Sequence, residues 1–121
     1  MPETIVRPAT RADLPRLTEI YNYYIINTPI TFDLEPYTIE TRTPWFEEHS
    51  DTGRHRMLVA VENDIVIGYA TSSRWRSKAA YNPTVESSVY CAHEATGRGV
   101  GSKLYYALFE ILARHIFHDE I

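Results

Sequence analysis

The chain has 121 residues, a net charge of −4, 44% apolar and 23% charged residues, and one cysteine, Cys91. These values indicate one globular domain over residues 1–121 and disfavour a disordered chain. The negative charge disfavours non-specific nucleic-acid binding, and one cysteine excludes an internal disulfide framework. We therefore expect a cytoplasmic location, with neither a secretion signal nor a membrane span.

The first part of the chain predicts one strand and two helices. A short strand is expected over residues 4–7, closed by Pro8. Thr10 and Asp13 have the spacing of a capping box, and Pro15 fits the first helical turn that follows. Apolar residues then recur at intervals of three and four, as on one face of a helix, at Leu14, Leu17, Ile20, Tyr21, Tyr24 and Ile25. A second helix is expected over residues 38–50, with Pro44 in its middle.

The second part predicts three strands and a final helix. Strands are expected over 57–62 and 65–71, and Asn63-Asp64 between them is a two-residue hairpin signal. Their dense Val and Ile content predicts a sheet covered on both faces. A polar connection over 72–83 leads to a strand over 84–92 and a glycine loop. A helix follows, with one apolar face at Val100, Leu104, Leu108, Ile111 and Leu112. The order β-α-α-β-β-β-α indicates an α/β fold with a mixed sheet and helices packed on it.

The strand, glycine loop and helix near residues 84–102 suggest a phosphate site. Backbone N–H groups at a helix N-terminus bind phosphate oxygens, and glycines let the chain approach them. Arg98 adds a cation and Ser102 a hydroxyl in the first helical turn. A tight strand-to-helix turn without a ligand remains the alternative. Neither a Walker lysine nor the acidic residue of a dinucleotide-binding loop is present, so those two classes are poor matches.

Glu86 lies within the strand that precedes the glycine loop. On an extended strand Glu86, Ser88 and Tyr90 share one face, and Val89 and Cys91 lie on the other. One interpretation is a general base that takes a proton from an amine. The alternative is an edge charge, or a salt bridge to one of the cations of the polar connection, Arg74, Arg76 and Lys78.

Other polar residues have less specific interpretations. The stretch over 74–81 could hold an acidic substrate, such as an amino-acid carboxylate, or could be a solvated loop. Cys91 is interpreted as a small buried residue, since the strand offers it no histidine partner. The histidines lack the spacing of a metal site, and we predict no metal.

These residues resemble the GNAT acyltransferases, within them the phosphinothricin N-acetyltransferase-like branch. The resemblance covers nearly the whole chain and depends above all on Thr84-Val85-Glu86, followed by Ser87-Ser88-Val89-Tyr90. Gly99 and Gly101 occupy the glycine places of the family's acetyl-CoA motif. Further support comes from segments 5–10, 20–25, 31–32, 66–70 and 80–81.

The resemblance implies an acetyl-CoA-dependent N-acetyltransferase that acts on a small, amino-acid-like amine by direct attack, with Glu86 serving the amine. The pantetheine arm would pair with the backbone of Val89, Tyr90 and Cys91, and an N–H near Tyr90 would polarise the thioester carbonyl. The pyrophosphate would bind the loop residues Gly97, Arg98, Gly99, Val100, Gly101 and Ser102. Phe32, Arg74 and Tyr81 would contact the substrate.

The chain departs from the family pattern in two places. Thr96 stands where the motif usually has Gln or Arg. The chain also stops where the family continues with further strands, so we expect a GNAT fold with a mixed, mostly antiparallel sheet flanked by helices, lacking its C-terminal strands. An exposed sheet edge would then favour a homodimer. The alternative function is a truncated, catalytically silent domain that binds CoA or self-associates.

Overall fold

The elements of the fold follow the predicted order along the chain. A computed structural model describes residues 3–28, 35–49, 55–74, 85–95, 97 and 99–114, with the backbone alone at 73, 74, 85 and 86. Its strands are β1 (Ile5–Pro8), β2 (Met57–Glu62), β3 (Ile65–Arg74) and β4 (Val85–Cys91). Its helices are α1 (Leu14–Asn27), α2 (Ile39–Glu47) and α3 (Val100–Arg114). None of the helices in these ranges has the length and apolar character needed to cross a bilayer.

The four described strands form one sheet in the order β1-β2-β3-β4, and all three pairings are antiparallel. The β2–β3 hairpin turns at Asn63 and Asp64, whose φ angles are 52° and 64°. Two consecutive positive φ angles define a type I′ turn, whose twist matches that of the flanking strands. The predicted hairpin is therefore confirmed. The expected sheet was mixed and mostly antiparallel, and all three pairings of the described strands are antiparallel.

The polar connection predicted over 72–83 begins later than expected. β3 continues through Arg74, because Ser72, Ser73 and Arg74 pair with Ser87, Glu86 and Val85 of β4. Pairing with a partner strand outweighs the polar side chains here, since the ladder uses only backbone groups. Residues 75–83 lie outside the described residues.

The predicted start of α1 is confirmed. Thr10 and Asp13 form a capping box around a short 3-10 turn at Arg11–Asp13, and Pro15 lies in the first turn of α1. The helix ends at Asn27, where the Thr28 N–H bonds the carbonyl of Tyr24 at 3.1 Å. The apolar face of α1 thus begins and ends at local signals that the sequence carries.

The second helix is shorter than predicted. It begins after the N-cap Thr38, whose hydroxyl accepts from the Thr41 N–H, and it contains Pro44. It ends at Glu47, three residues before the predicted end, because the backbone changes there to a 3-10 hydrogen-bond pattern. The N–H groups of Glu48 and His49 bond carbonyls three residues back rather than four.

The sheet is covered on both faces, as predicted. α3 packs on one face, where an added Cβ at Gly68 would lie 3.1 Å from Leu104 Cδ1. α1 lies against β3 and β4, and it also contacts α2. The apolar face predicted for α3 is confirmed, because Val100, Leu104 and Leu108 are buried.

A buried carboxylate ties β1 to the start of α1. Asp13 accepts from two Arg7 nitrogens at 2.8 and 3.0 Å, and from the Thr10 backbone N–H at 2.7 Å. Burial alone would raise the pKa of Asp13, but the hydrogen bonds from Arg7 and Thr10 outweigh it and lower that pKa. The ionised carboxylate is therefore the form that the fold stabilises.

Replacing Asp13 with Asn tests this anchor. Because the folded-state pKa is lowered, the stabilisation is fully present above the ordinary carboxyl pKa and is lost as pH falls through the folded value. We expect Asp13→Asn to lower the free energy of unfolding by about 1 to 2 kcal/mol at pH 7. The difference from the unmodified chain should shrink below about pH 4. Urea unfolding across pH measures it. Glu47→Gln, at an exposed pair with Arg11, is the control, and an equal loss there would contradict the prediction.

Replacement by alanine should affect the stability of the fold differently at two glycines, Gly68 and Gly101. A Cβ at Gly68 would lie 3.1 Å from Leu104 Cδ1 and 3.2 Å from the Tyr90 carbonyl, so we expect Gly68→Ala to lower stability by about 1 to 3 kcal/mol. At Gly101 the nearest atoms lie at 3.6 and 3.7 Å, which are ordinary contacts. Since Gly101 is within α3, Gly101→Ala should be neutral or stabilise by about 0.5 to 1 kcal/mol. Equal effects in denaturant unfolding would contradict this contrast.

Candidate active site

The pairing of β3 with β4 decides which backbone groups of β4 remain available. Ala92 N–H donates to the Ile67 carbonyl at 2.8 Å, in the same register that pairs Tyr90 with Tyr69. Opposite residues of an antiparallel ladder alternate between bonded and non-bonded pairs. The backbone groups of Tyr90 therefore point toward β3, while those of Val89 and Cys91 point to the other edge. Within the described strands, that edge of β4 carries no neighbour.

The side chains of β4 alternate as the sequence predicted. Val89 and Cys91 face α3, since their Cγ1 and Sγ atoms would lie 3.7 and 3.6 Å from a Cβ at Gly101. Tyr90 points to the opposite face, where its ring lies 5.3 Å from that of Tyr21 and 5.6 Å from that of Tyr69. Burial raises the pKa of the Cys91 thiol. The thiolate needed of a nucleophile is thus disfavoured, in agreement with the sequence interpretation.

Tyr24 of α1 reaches the open edge of β4, and sequence reasoning missed this role. Its hydroxyl donates to the Cys91 carbonyl at 2.5 Å, and its ring lies 5.3 Å from that of Tyr90. Burial raises the pKa of Tyr24, which keeps the phenol protonated as a donor. From its helical spacing, Tyr24 was predicted only to pack in the core. Its hydrogen bond joins residues 67 positions apart, and a local pattern cannot predict such a contact.

The glycine loop contains a turn that the sequence did not predict. A 3-10 turn at His93–Ala95 separates β4 from the loop. Gly97 and Gly99 have φ angles of +81° and +80°, a region that only glycine adopts without strain. Chain neighbours aside, no atom of the described residues lies within 4 Å of a Cβ built on either glycine, so within that part of the chain their backbones border open space.

The N-terminus of α3 presents free donors beside this loop. The Lys103 N–H bonds the Gly99 carbonyl at 3.1 Å and is thus the donor of the first helical bond. The N–H groups of Val100, Gly101 and Ser102 come before it and have no acceptor within the helix. Together with the positive end of the helix dipole, they form the anion-binding geometry that the sequence predicted.

Arg16 holds α1 to both sides of this region. Its Nε atom donates to the Val66 carbonyl of β3 at 2.9 Å, and its Nη2 atom donates to Glu94 at 3.0 Å. The hydrogen bond of Glu94 with its own backbone, and then that from Arg16, lower the pKa of Glu94. A second contact joins the Tyr23 hydroxyl to His93 Nδ1 at 2.8 Å. The turn before the glycine loop is therefore fixed by α1.

A buried arginine, which no sequence pattern predicted, lies among aromatic rings on the α1 side of the sheet. Arg42 of α2 is only 6% exposed. Its guanidinium carbon lies 3.7 Å from the ring centroid of Trp45, 4.1 Å from that of Tyr21 and 4.8 Å from that of Tyr37. Arg42 Nε and the Tyr69 hydroxyl are buried without a hydrogen-bond partner. Burial raises the pKa of Tyr69, and the Arg42 cation opposes that shift.

The remaining predicted site residues are placed only in part. Glu86 lies in β4 opposite Ser73, and Arg74 is the last residue of β3, but their side chains lie outside the described part. Phe32, Tyr81 and Arg98 also lie outside it. Ser102 is exposed in the first turn of α3. In the described part of the chain, no three His, Cys, Asp or Glu side chains gather in a group that could hold a metal ion.

Among the described elements, an antiparallel sheet thus ends at β4 with an unpaired edge, and a glycine loop and a helix N-terminus with free N–H groups follow it. The chain belongs to the acetyltransferase (GNAT) family, whose model matches residues 17–119. The predicted family and fold are therefore confirmed.

Two curated relatives and one solved structure show the similarity in detail. The chain is 49% identical over 118 residues to phosphinothricin N-acetyltransferase of Streptomyces coelicolor, covering 96% of this chain and 69% of the relative. It is 35% identical to the L-methionine sulfoximine/L-methionine sulfone acetyltransferase of Salmonella typhimurium, covering 87% and 61%. A phosphinothricin acetyltransferase from Sinorhizobium meliloti, solved in complex with acetyl-CoA, superposes with a TM-score of 0.80 at 33% identity, covering 88% and 58%. The chain thus spans between 58% and 69% of the length of these three proteins.

Proposed function

We propose that this protein transfers an acetyl group from acetyl-CoA to the amine of a small, amino-acid-like substrate. The observation that carries the proposal is the open edge of β4. There the backbone groups of Val89 and Cys91 face outward, and the strand leads into the glycine loop and the free N-terminus of α3. Membership of the GNAT family supports the same activity.

The described backbone fits acetyl-CoA in two respects. The amides of the pantetheine arm would pair as an added strand with the backbone of Val89 and the N–H of Cys91, whose carbonyl already accepts from Tyr24. The pyrophosphate would bind the N–H groups at the start of α3 and along residues 97–102, with the Arg98 cation and the Ser102 hydroxyl adding contacts. The open space around Gly97 and Gly99 suits a ligand that approaches the backbone closely.

The proposed chemistry needs one base and one polarising donor. Acetyl-CoA supplies the activated acyl group. The amine attacks the thioester carbonyl directly, a C–N bond forms, the C–S bond breaks, and the CoA thiolate leaves and takes up a proton from water. Glu86 would accept the proton that the amine loses. The family resemblance implies an N–H near Tyr90 as the oxyanion donor. The ladder directs the N–H of Tyr90 to β3, so we assign this role to Val89 or Cys91.

The acceptor is proposed to be an amino acid or a close analogue. The names of two relatives specify phosphinothricin and methionine sulfone, which share an α-amine and an α-carboxylate. Phe32, Arg74 and Tyr81 would contact this substrate, as the resemblance implies. The guanidinium of Arg74 would suit its carboxylate.

We also propose a cytoplasmic homodimer. The exposed aromatic residues of α3 support self-association, since Tyr106 and Phe109 are 73% and 60% exposed and the Tyr105 and Phe109 rings stack at 6.0 Å. The free, half-buried thiol of Cys91 suits a reducing compartment. Light scattering tests the dimer, and a compact monomer would overturn it.

Acetyl transfer is tested by thiol release from acetyl-CoA with a panel of amino acids and their analogues. We expect turnover with at least one amine, and Glu86→Gln should lower kcat by roughly 10²- to 10⁴-fold because the base is lost. The KM for acetyl-CoA should stay unchanged.

Glu110→Gln, at an exposed pair with Arg114 on α3, is the control and should keep full activity. No turnover with any amine in a folded chain would reject the proposed activity. If acetyl-CoA still binds, a silent CoA-binding domain becomes the better description. Undiminished kcat in Glu86→Gln would reject only the base.

Amide hydrogen exchange tests the cofactor geometry. Acetyl-CoA should slow exchange at Val89 and Cys91, whose N–H groups face the open edge, and should leave Tyr90 unchanged, because the ladder already protects it. ADP contains the pyrophosphate without the arm, so it should protect only the first turn of α3. Equal protection of Val89, Tyr90 and Cys91 by acetyl-CoA would contradict the added strand.

A further inference from the structure

Arg42 is a buried cation for which the described residues provide no carboxylate. It is 94% buried, and its charge is stabilised by the faces of the Trp45, Tyr21 and Tyr37 rings. The faces of these rings stabilise the positive charge but offer no oxygen or nitrogen acceptor to the N–H donors of Arg42.

Two donors in this cluster lack acceptors. Arg42 Nε has no hydrogen-bond partner, and neither has the buried hydroxyl of Tyr69. Buried polar groups of folded proteins are nearly always hydrogen-bonded, so two unpaired donors on neighbouring side chains indicate an acceptor that binds from outside the chain. Because one donor is a cation, an anionic acceptor fits best. A carboxylate offers two oxygens, enough for both donors.

The cluster lies on the face of the sheet that the acceptor amine would use. Tyr69 pairs with Tyr90 across the β3–β4 ladder, and their rings are 5.6 Å apart. Tyr90 lies between Val89 and Cys91, where the thioester arm would pair, and four residues after Glu86. An even spacing along a strand puts positions 86 and 90 on one face.

We propose that Arg42, with the Tyr69 hydroxyl, binds the carboxylate of the amino-acid acceptor, an inference that rests on the proposed acetyl transfer. The surrounding rings of Trp45, Tyr21 and Tyr37 restrict the guanidinium, so little conformational freedom is lost when the carboxylate binds. Arg42 thus selects acceptors that carry a carboxylate, and it adds a contact from α2 to the one proposed for Arg74.

The probe pair is L-methionine sulfone and its α-carboxamide, which differ only at the carboxyl group. In the unmodified chain, the ¹⁵N–¹H signal of Arg42 Nε, assigned by its absence in Arg42→Met, should shift with the sulfone and not with the carboxamide. Arg42→Met should raise the KM for the sulfone on the order of 10- to 100-fold, since a charged hydrogen bond is lost. The KM for acetyl-CoA and for the carboxamide should not change.

Arg42→Lys keeps the charge without the planar fork, so it should restore part of the lost affinity. Arg11→Met is the matched control, because the Arg11 guanidinium also lies over a ring, 5.7 Å from that of Phe46, but at an exposed position. Arg11→Met should leave the KM for the sulfone and the KM for the carboxamide unchanged. Near-ultraviolet circular dichroism verifies that each variant is folded.

The outcomes separate this proposal from the proposed function. If turnover occurs and the two probes shift Arg42 Nε equally or not at all, carboxylate recognition by Arg42 is overturned. If acetyl transfer fails while only the sulfone shifts the signal, Arg42 still binds carboxylates and the proposed activity is overturned. A KM rise in Arg42→Met that is equal for sulfone and carboxamide would indicate a purely structural arginine.

Discussion

The pairing of β3 with β4 is the constraint on which the candidate site depends. Seven residue pairs, from Gly68–Cys91 to Arg74–Val85, fix both the backbone and the side-chain directions of β4. The same register turns the N–H and carbonyl groups of Val89 and Cys91 outward and directs the Tyr90 ring toward α1. Backbone recognition at the edge and side-chain recognition on the face therefore share one origin.

The first helix then links the separate parts of the site. Arg16 bonds β3 and the turn before the glycine loop, while Tyr24 bonds the last carbonyl of β4. Since each contact joins groups far apart in sequence, the site forms only when α1 is docked on the sheet. The aromatic cluster around Arg42 adds α2 to the same assembly through the Tyr21 and Trp45 rings.

Local signals in the sequence were enough to predict the element order. Asn63-Asp64 marked the hairpin, Thr10 and Asp13 marked the start of α1, and the spacing of Val100, Leu104 and Leu108 marked the buried face of α3. The early end of α2 and the extension of β3 to Arg74 were not predictable, because end geometry and strand pairing decide them. Glu86, the loop glycines and the edge residues came from motif and resemblance. Arg42 and Tyr24 did not, since tertiary packing alone brings their partners together.

The alternation along β4 also restricts how the length of this strand can vary. Removing one residue between Glu86 and Val89, with the Tyr90 end held in register, would move position 86 to the opposite face. Removing Tyr90 would turn the N–H of either Val89 or Cys91 from the open edge toward β3. A deletion of two residues would preserve both directions and only shorten the strand. Between Glu86 and Cys91, a strand without a bulge therefore keeps both directions only when it gains or loses residues in pairs.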